Sequence, residues 1–379
     1  MAFREIDGGV TAPKGFRAAG FAAAIKPTST KMDCALIVSE SPAAAAGTFT
    51  TNLFKSPPTH WSEDVCKRGR ARAVFVNSGN ANACTGDRGL ADAQATAKMS
   101  ADGLQVAQDE VCVLSTGVIG VNLPMDRIGK GARGCLGALS GTGGHDAAIA
   151  IMTTDTVPKE KALAVELTGG RITLGAIAKG SGMICPNMAT MICLITTDAA
   201  IEASDFQEML RRAVRVSFNQ MCVDNDMSTS DSVIALANGA AGVAKLVPGT
   251  TDFDAFDEAL TSLCKEMAKA LVRDGEGASK FVEIVVSGAA TEEEARTVAR
   301  AIAVSQLCKT AFFGQDPNWG RIACAAGYSG VKFDPGKLCV WIDAVQVMKA
   351  GMPAVYEEED AAACMLKPEI ATLLPYFAA

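Results

Sequence analysis

The sequence predicts a mixed α/β (α+β) fold, because short apolar runs typical of strands alternate along the chain with amphipathic runs typical of helices. The chain has 379 residues, which is long enough for one large unit or two packed domains. We find neither an internal repeat nor a linker-like stretch in it. Periodicity therefore predicts the kinds of element present, and it does not by itself predict how they are layered.

The strand candidates are short runs of β-branched and other apolar residues that end in small polar or glycine-rich loops. Residues 162–178 predict a hairpin with Gly169-Gly170 at its turn. The run TMICLITT (190–197) predicts a strand that is buried on both faces. The remaining candidates are RAVFV (72–76), VCVL (111–114), FVEIVV (281–286) and CVWI (339–342).

The helix candidates show a period close to that of an α-helix. The first is expected to begin at a capping Ser204. Its apolar face would consist of Phe206, Leu210, Val214 and Phe218. Residues 253–272 form a second, strongly periodic candidate. Thr291 and Glu294 have the spacing of a capping box and predict the start of a third helix.

Composition excludes several classes of protein. The net charge of −7 argues against nucleic-acid binding, because neutralising phosphates requires a basic surface. No apolar run reaches the roughly 18 residues needed to span a bilayer, and the first residues lack the apolar core of a signal peptide. We therefore expect a cytoplasmic protein without nucleic-acid or membrane partners, or a plastid or mitochondrial matrix protein if a transit peptide has been removed.

The cysteines and histidines limit the chemistry further. The 13 cysteines are scattered without a CxxC pair, which argues against a zinc ribbon or a redox dithiol and predicts no metal site. Only two histidines are present, His60 and His145, so a histidine-based nucleophile has few candidate bases. Residues 224–231 (DNDMSTSD) superficially resemble a calcium loop, but the required glycine and terminal glutamate are missing. Turn capping is the favoured interpretation of their carboxylates.

The segment from Lys179 to Asp198 combines a glycine-rich loop with a buried strand, and Thr190 lies at the junction. One interpretation is structural, with a threonine chosen for its β-propensity. The other is an N-terminal nucleophile: the Thr190 hydroxyl attacks the carbonyl of Ala189, and an N-to-O acyl shift followed by hydrolysis cuts the chain. The new α-amine, whose reference pKa is about 7.7–8, could then accept the hydroxyl proton in place of a histidine.

The run KGSGMICPNMATMICLITTDA (179–199) closely resembles the cleavage-site signature of the ornithine acetyltransferases, also called glutamate N-acetyltransferases. In that family the bond before the threonine of the M-A-T triplet is cut. Further segments resemble family landmarks in family order, and together they cover almost the whole chain. They are GGVTAPKGFRAAG (8–20), AGTFTTN (46–52), NSGNANACTG (77–86), STGVIG (115–120), IMTTDT (151–156), DGEGASKF (274–281) and DPNWGRI (316–322).

The resemblance implies two subunits, residues 1–189 and 190–379, that stay associated as a heterotetramer of two alpha and two beta chains. It implies a ping-pong reaction in which Thr190 takes acetyl from N2-acetylornithine and passes it to glutamate, without a cofactor. Some members also use acetyl-CoA as a co-substrate. The implied fold is a helix–sheet–sheet–helix sandwich, layered like the N-terminal-nucleophile enzymes, with a smaller C-terminal lobe.

The resemblance also assigns site residues. Thr116 and Gly117 would form the oxyanion hole, which is chemically reasonable because a hydroxyl and a backbone N–H can converge on one oxygen. The alternative for both is a plain β-turn.

Lys179 matches the family's substrate-binding lysine, and we expect it to pair with a substrate carboxylate. Thr153 or Thr154 would contact substrate, with helix capping as the alternative. Glu276 matches the family's binding glutamate and could hold the δ-ammonium of ornithine. A solvated loop lysine and a turn glutamate are the structural alternatives for Lys179 and Glu276.

The C-terminus departs from the family pattern. Members usually end in a tail of the type Y-V-x-x-N-A-x-Y that contacts substrate, whereas this chain ends in KPEIATLLPYFAA. The departure predicts the loss of two substrate contacts and of one wall of the site. The departure leaves open an inactive, C-terminally incomplete family member. The shared N-terminal-nucleophile chemistry leaves open a self-processing amidase or aminopeptidase, which passes the acyl group to water.

Overall fold

A computed structural model of the chain describes residues 3–185 and 191–375. The chain divides into two compact units, residues 1–276 and 277–379. The strands of the first unit are β1 (Phe3–Ile6), β2 (Phe16–Phe21), β3 (Cys34–Phe49), β4 (Arg70–Asn80), β5 (Val111–Val118), β6 (Lys159–Leu167), β7 (Gly170–Lys179), β8 (Ile192–Thr197) and β9 (Ser232–Ala237). Its helices are α1 (Pro57–Lys67), α2 (Gly86–Leu104), α3 (Met125–Ala138), α4 (Gly144–Ala150), α5 (Ala203–Arg215) and α6 (Thr251–Arg273).

The long strand β3 joins two sheet layers in the first unit. Its first half pairs antiparallel with β2 and β4, and β4 continues to β5 in parallel. Its second half, beyond an irregularity between Val38 and Ala43, pairs with β9, and the sheet continues through β8, β7, β6 and β1. The nine strands therefore form one hydrogen-bonded sheet that β3 carries from one layer to the other.

Alternation of side chains along the strands places a core between the two layers. Leu114 of β5 packs in the same apolar cluster as Ile177 of β7 and Ile192 of β8. The opposite face of β8 carries Cys193 and Ile195, which pack in a second cluster against α5 and α6. The outer face of β4 and β5 packs against α2 and α3 in a third cluster. The order is thus helix–sheet–sheet–helix, as the resemblance implied.

The second unit has its own sheet and its own apolar core. Its strands, in the order β10-β14-β11-β12-β13 across the sheet, are β10 (Phe281–Ser287), β11 (Val340–Ile342), β12 (Val345–Lys349), β13 (Met352–Pro353) and β14 (Glu369–Pro375). Its helices are α7 (Glu292–Ala303), α8 (Gln306–Phe313), α9 (Trp319–Gly327) and α10 (Glu358–Leu366). This unit is the predicted smaller C-terminal lobe.

Most of the predicted elements are present. Each strand candidate contains a strand, with β8 beginning at Ile192 and Thr190 lying outside the described residues, and residues 162–178 form the β6–β7 hairpin. Thr291 caps α7 by accepting the backbone N–H of Glu294. The prediction for α5 was wrong at both ends: its N-cap is Glu202 rather than Ser204, and it stops at Arg215. Ser217 has non-helical angles (φ −135°, ψ −92°), so Phe218 is buried from a separate 3₁₀ turn.

The helices within the described residues include none that is both long enough and apolar enough to cross a bilayer.

Candidate active site

Lys179 and Thr116 meet in the space between the two sheet layers. On β7, Lys179 follows Ile177 by two residues and so faces the inter-layer core; Thr116 stands in the same relation to Leu114 on β5. Both side chains are buried, at 2% and 4% exposure. The Lys179 Nζ donates to the Thr116 Oγ1 at 3.3 Å. Residues distant in sequence, predicted to act in one site, are therefore in contact.

This contact leaves the Thr116 hydroxyl hydrogen available. An ammonium group has three donors and no acceptor, so the Thr116 oxygen must accept from Lys179. The hydroxyl proton can then be donated to a third group. A buried O–H polarised in this way suits an oxyanion hole, where a donor has to be in place before negative charge develops.

The strand register places the start of β8 beside Lys179. Lys179 lies opposite Ile192 in the β7–β8 ladder, and Ile192 lies opposite Ser232 in the β8–β9 ladder. The predicted nucleophile Thr190 and its partner Ala189 lie outside the described residues. Met191, the residue that follows Thr190 in the sequence, directly precedes β8.

Gly117 is a position that only glycine fits. Its φ is +131°, and a Cβ there would lie 2.4 Å from the backbone carbon of Gly79 and 2.6 Å from the backbone nitrogen of Asn80. Strand β4 thus approaches β5 too closely for a side chain at this point. The close approach fixes the backbone beside Thr116.

Replacing Gly117 by alanine is expected to lower the free energy of unfolding by about 2 kcal/mol or more and to impair any activity that uses Thr116. Gly120→Ala is the matched control, because Gly120 also has positive φ (+79°) but a Cβ on it would meet no other atom within 4 Å. Urea unfolding of both variants measures the difference. Equal destabilisation would show that positive φ, and not the approach of β4, restricts Gly117.

The predicted substrate-contacting residues connect through Ser181. The Thr154 and Ser181 hydroxyl groups are 2.6 Å apart, and the Glu276 amide donates to the Ser181 carbonyl at 2.7 Å. A Cβ on Gly182 would lie 2.6 Å from the Glu276 carboxyl carbon, so this glycine leaves room for that carboxylate. Thr153 is half-buried, and its amide donates to Asp155.

A buried ion network holds these segments together. The Lys159 Nζ lies 2.7 Å from Asp155 Oδ1 and 2.6 Å from Asp274 Oδ2, with side-chain exposures of 2%, 0% and 7% respectively. Asp155 Oδ1 also accepts the Gly180 amide at 2.6 Å, and Asp274 accepts the Thr156 amide. The network thus connects the threonine segment, the residue after Lys179 and the residues before Glu276.

The electrostatics of the site follow from burial among these charges. Burial lowers the pKa of the Lys179 ammonium, and the positive charge of Lys159 adds to this while Asp155, Asp231 and Glu276 oppose it. Burial alone would raise the pKa of the Asp155 carboxyl, but Lys179 and Lys159 outweigh it and hold that pKa below its usual value. In Asp231, burial dominates and raises the pKa of the carboxyl well above its usual range.

Asp155, Lys159 and Asp274 are site residues that were not predicted from the sequence. Asp155 and Lys159 have the i,i+4 spacing of an ion pair in MTTDTVPK, which was a usable signal. Their partner Asp274 is 115 residues beyond Lys159, so only the fold could reveal the network. Within residues 3–185 and 191–375, no three His, Cys, Asp or Glu side chains are grouped so that they could hold a metal ion.

Comparisons with known proteins show similarity over most of the chain. The ArgJ family model matches residues 17–375. The chain is 50% identical over 364 residues to the arginine biosynthesis bifunctional protein ArgJ of Symbiobacterium thermophilum, covering 96% of this chain and 90% of that protein. It is 45% identical over 357 residues to the protein of the same name from Gloeobacter violaceus, covering 94% and 88%.

A solved structure is also similar to part of the chain. It is the ornithine acetyltransferase complexed with ornithine from Mycobacterium tuberculosis, which is 44% identical and covers 48% of this chain and 98% of that chain, with a TM-score of 0.45.

Proposed function

The chain belongs to the ArgJ family, and from that premise we propose that it moves acetyl from N2-acetylornithine to glutamate through an acetyl ester on Thr190. The protein would be an acetyltransferase of arginine biosynthesis that first cleaves its own chain between Ala189 and Thr190. The observation that carries the proposal is the buried Lys179–Thr116 contact, because it joins two predicted site residues where Lys179 lies opposite Ile192 at the start of β8.

Self-cleavage is proposed to proceed in two steps. The Thr190 oxygen bonds to the carbonyl carbon of Ala189, the Ala189–Thr190 amide bond breaks, and the hydroxyl proton passes to the Thr190 nitrogen. Water then hydrolyses the resulting ester, so that its oxygen stays on the Ala189 carboxyl and a proton returns to the threonine oxygen. The products are residues 1–189 and 190–379, and their masses add up to the precursor plus one water molecule.

Acetyl transfer would use the same hydroxyl. The free α-amine of Thr190 takes its proton, and the oxygen attacks the acetyl carbonyl of N2-acetylornithine. Ornithine leaves with that proton. The glutamate amine then attacks the acetyl ester, the bond between the acetyl carbon and the Thr190 oxygen breaks, and the amine proton returns to that oxygen. Each attack produces an oxyanion, which the Thr116 hydroxyl and the Gly117 amide are proposed to stabilise. Lys179 orients the Thr116 hydroxyl by donating to its oxygen.

The fold supports continued association of the two fragments. Strand β7, in residues 1–189, pairs with β8, in residues 190–379, and β9 pairs with β3. Both fragments also contribute to the apolar core against α5 and α6. The proposal has further parts. Two such pairs form a heterotetramer, acetyl-CoA serves as an additional donor, no cofactor is used, and the enzyme acts in the cytoplasm.

A transfer assay tests the proposed function. The purified protein is incubated with N2-acetylornithine with and without glutamate, and ornithine, acetate and N-acetylglutamate are quantified. Glutamate-dependent formation of N-acetylglutamate would support the acetyltransferase. Release of acetate in the same amount with and without glutamate would instead support the amidase. If neither N-acetylglutamate nor acetate forms, the result would support a non-catalytic family member.

Thr116→Val is expected to lower kcat by about 10²–10³-fold, because it removes one oxyanion donor while nearly conserving volume. Thr116→Ser retains the hydroxyl and should stay within about tenfold of the wild type. Steady-state kinetics with N2-acetylornithine and glutamate measure both. A Thr116→Val variant as active as Thr116→Ser would remove the hydroxyl from the mechanism.

A further inference from the structure

One loop, residues 223–231, contacts the main chain on both sides of the predicted cleavage point; we call it the clamp loop. On the N-terminal side, the Asp224 carboxylate accepts two successive amides, from Met183 at 2.5 Å and from Ile184 at 2.9 Å. The Ile184 carbonyl in turn accepts the Val223 amide at 2.8 Å. The chain that leads towards Ala189 is therefore fixed by both a side chain and the backbone of this loop.

On the C-terminal side, Asp231 holds Met191, the residue bonded to Thr190. Asp231 Oδ1 accepts the Met191 amide at 3.0 Å, and the Met191 carbonyl accepts the Ser232 amide at 3.0 Å. Met191 and Asp231 are each 1% exposed. This contact restrains the peptide that carries the proposed nucleophile.

Burying an aspartate at position 231 carries a cost in stability. Its Oδ2 is buried and has no hydrogen-bond partner among the described residues. A buried carboxyl with one unsatisfied oxygen is costly, but its other oxygen satisfies the buried Met191 amide, which an apolar side chain would leave without an acceptor. The Asp231 carboxyl therefore contacts the residue bonded to Thr190, and the Lys179 ammonium also favours its negative charge.

The clamp loop is itself anchored to the segment that connects β3 with α1. The Thr50 hydroxyl donates to the Ser228 carbonyl at 2.8 Å, and the Ser56 amide donates to the Thr229 carbonyl at 2.8 Å. The Thr50 amide donates to the Asp231 carbonyl at 3.0 Å. A loop fixed in this way can impose a geometry on the segment that it holds.

We propose that Asp224 and Asp231 are positioning residues for self-cleavage, which hold the main chain before and after the Ala189–Thr190 bond so that the Thr190 hydroxyl meets the preceding carbonyl. The inference rests on the proposed nucleophile and extends it. Attack requires the reacting atoms to be held about 3–3.5 Å apart, and a misplacement of about 1 Å costs about 10²-fold in rate.

The test measures the rate of cleavage in the full-length chain. Wild type and variants are made by cell-free synthesis, samples are quenched in denaturant over time, and the uncut fraction is read from intact mass. Asp231→Ala and Asp224→Ala are expected to slow cleavage by about 10²-fold. Asp231→Asn retains an acceptor oxygen and should stay within about tenfold of the wild type.

Asp226→Ala is the matched control, because Asp226 carries the same charge in the same loop and its carboxylate makes no hydrogen bond to any described residue. It should cleave at the wild-type rate. Thermal unfolding of each uncut chain separates slow cleavage from misfolding, and exposed Asp224 offers a test even if Asp231→Ala fails to fold.

The outcomes separate this inference from the function on which it rests. The positioning role would be overturned if folded Asp224→Ala and Asp231→Ala chains cleave as fast as the wild type. It would also be overturned if Asp226→Ala slows cleavage as much as these two variants do. Either result leaves the proposed nucleophile intact. A wild-type chain that never cleaves would overturn the proposed nucleophile itself, and the positioning role with it.

Discussion

Thr190→Ala is expected to yield a single uncut chain that transfers no acetyl group. Alanine lacks the hydroxyl that is proposed first to attack Ala189 and later to carry the acetyl group, and without cleavage the α-amine that serves as base never forms. Intact mass under denaturing conditions should show two fragments, beginning at Met1 and Thr190, for the wild type only. The loss of both covalent steps makes this the largest effect on activity that we expect.

Thr190→Ser is the control for this result. Serine retains a hydroxyl, so cleavage and transfer should both persist, although the missing methyl group leaves the hydroxyl less restrained and slower to react. Two fragments from Thr190→Ala at the wild-type junction would contradict the proposed nucleophile. An uncut wild type would remove self-processing from the proposed function and leave the inactive family member as the better description.

Local pattern was sufficient for much of the fold. The β6–β7 hairpin follows from its glycine pair, and α7 follows from the capping side chain of Thr291. In both cases the determining residues lie within a few positions of the element. The end of α5 was missed because Phe218 keeps the helical period although Ser217 has already left helical geometry. Periodicity records which side chains are buried, and it does not record whether the backbone between them stays helical.

The site was predictable only in part. Alternation along β5 and β7 is enough to place Thr116 with Leu114, and Lys179 with Ile177. That these two faces oppose each other depends on β3, which continues from one layer into the other, and no sequence pattern signalled that path. Resemblance to a family supplied the roles of these residues, whereas their contact is a property of the fold.

Lys159→Met is expected to lower the free energy of unfolding by about 3–5 kcal/mol, the cost of breaking a buried ion pair from one side. The substitution leaves Asp155 and Asp274 facing each other in a site with side-chain exposures of 0% and 7%. Urea unfolding should be compared in a Thr190→Ala background, so that every chain is uncut. Lys98→Met is the matched control: Lys98 and Asp102 also form an i,i+4 pair, but both are more than 60% exposed, and its loss should cost under about 1 kcal/mol.

Acidification distinguishes this network from simple packing. Lys159 contributes to holding the pKa values of Asp155 and Asp274 below their usual range, against the raising effect of burial. Stabilisation from carboxyls with lowered pKa is fully present above the unfolded value of about 3.9 and is lost as the pH falls below it. Lys159→Met should therefore lose less stability between pH 5 and pH 3 than its Thr190→Ala parent. These two pH values lie about one unit above and below the unfolded carboxyl pKa of about 3.9. If Lys159→Met lowers the free energy of unfolding no more than Lys98→Met does, Lys159 contributes its buried methylene chain and not its charge. The same conclusion holds if Lys159→Met is as sensitive to acid as the Thr190→Ala parent.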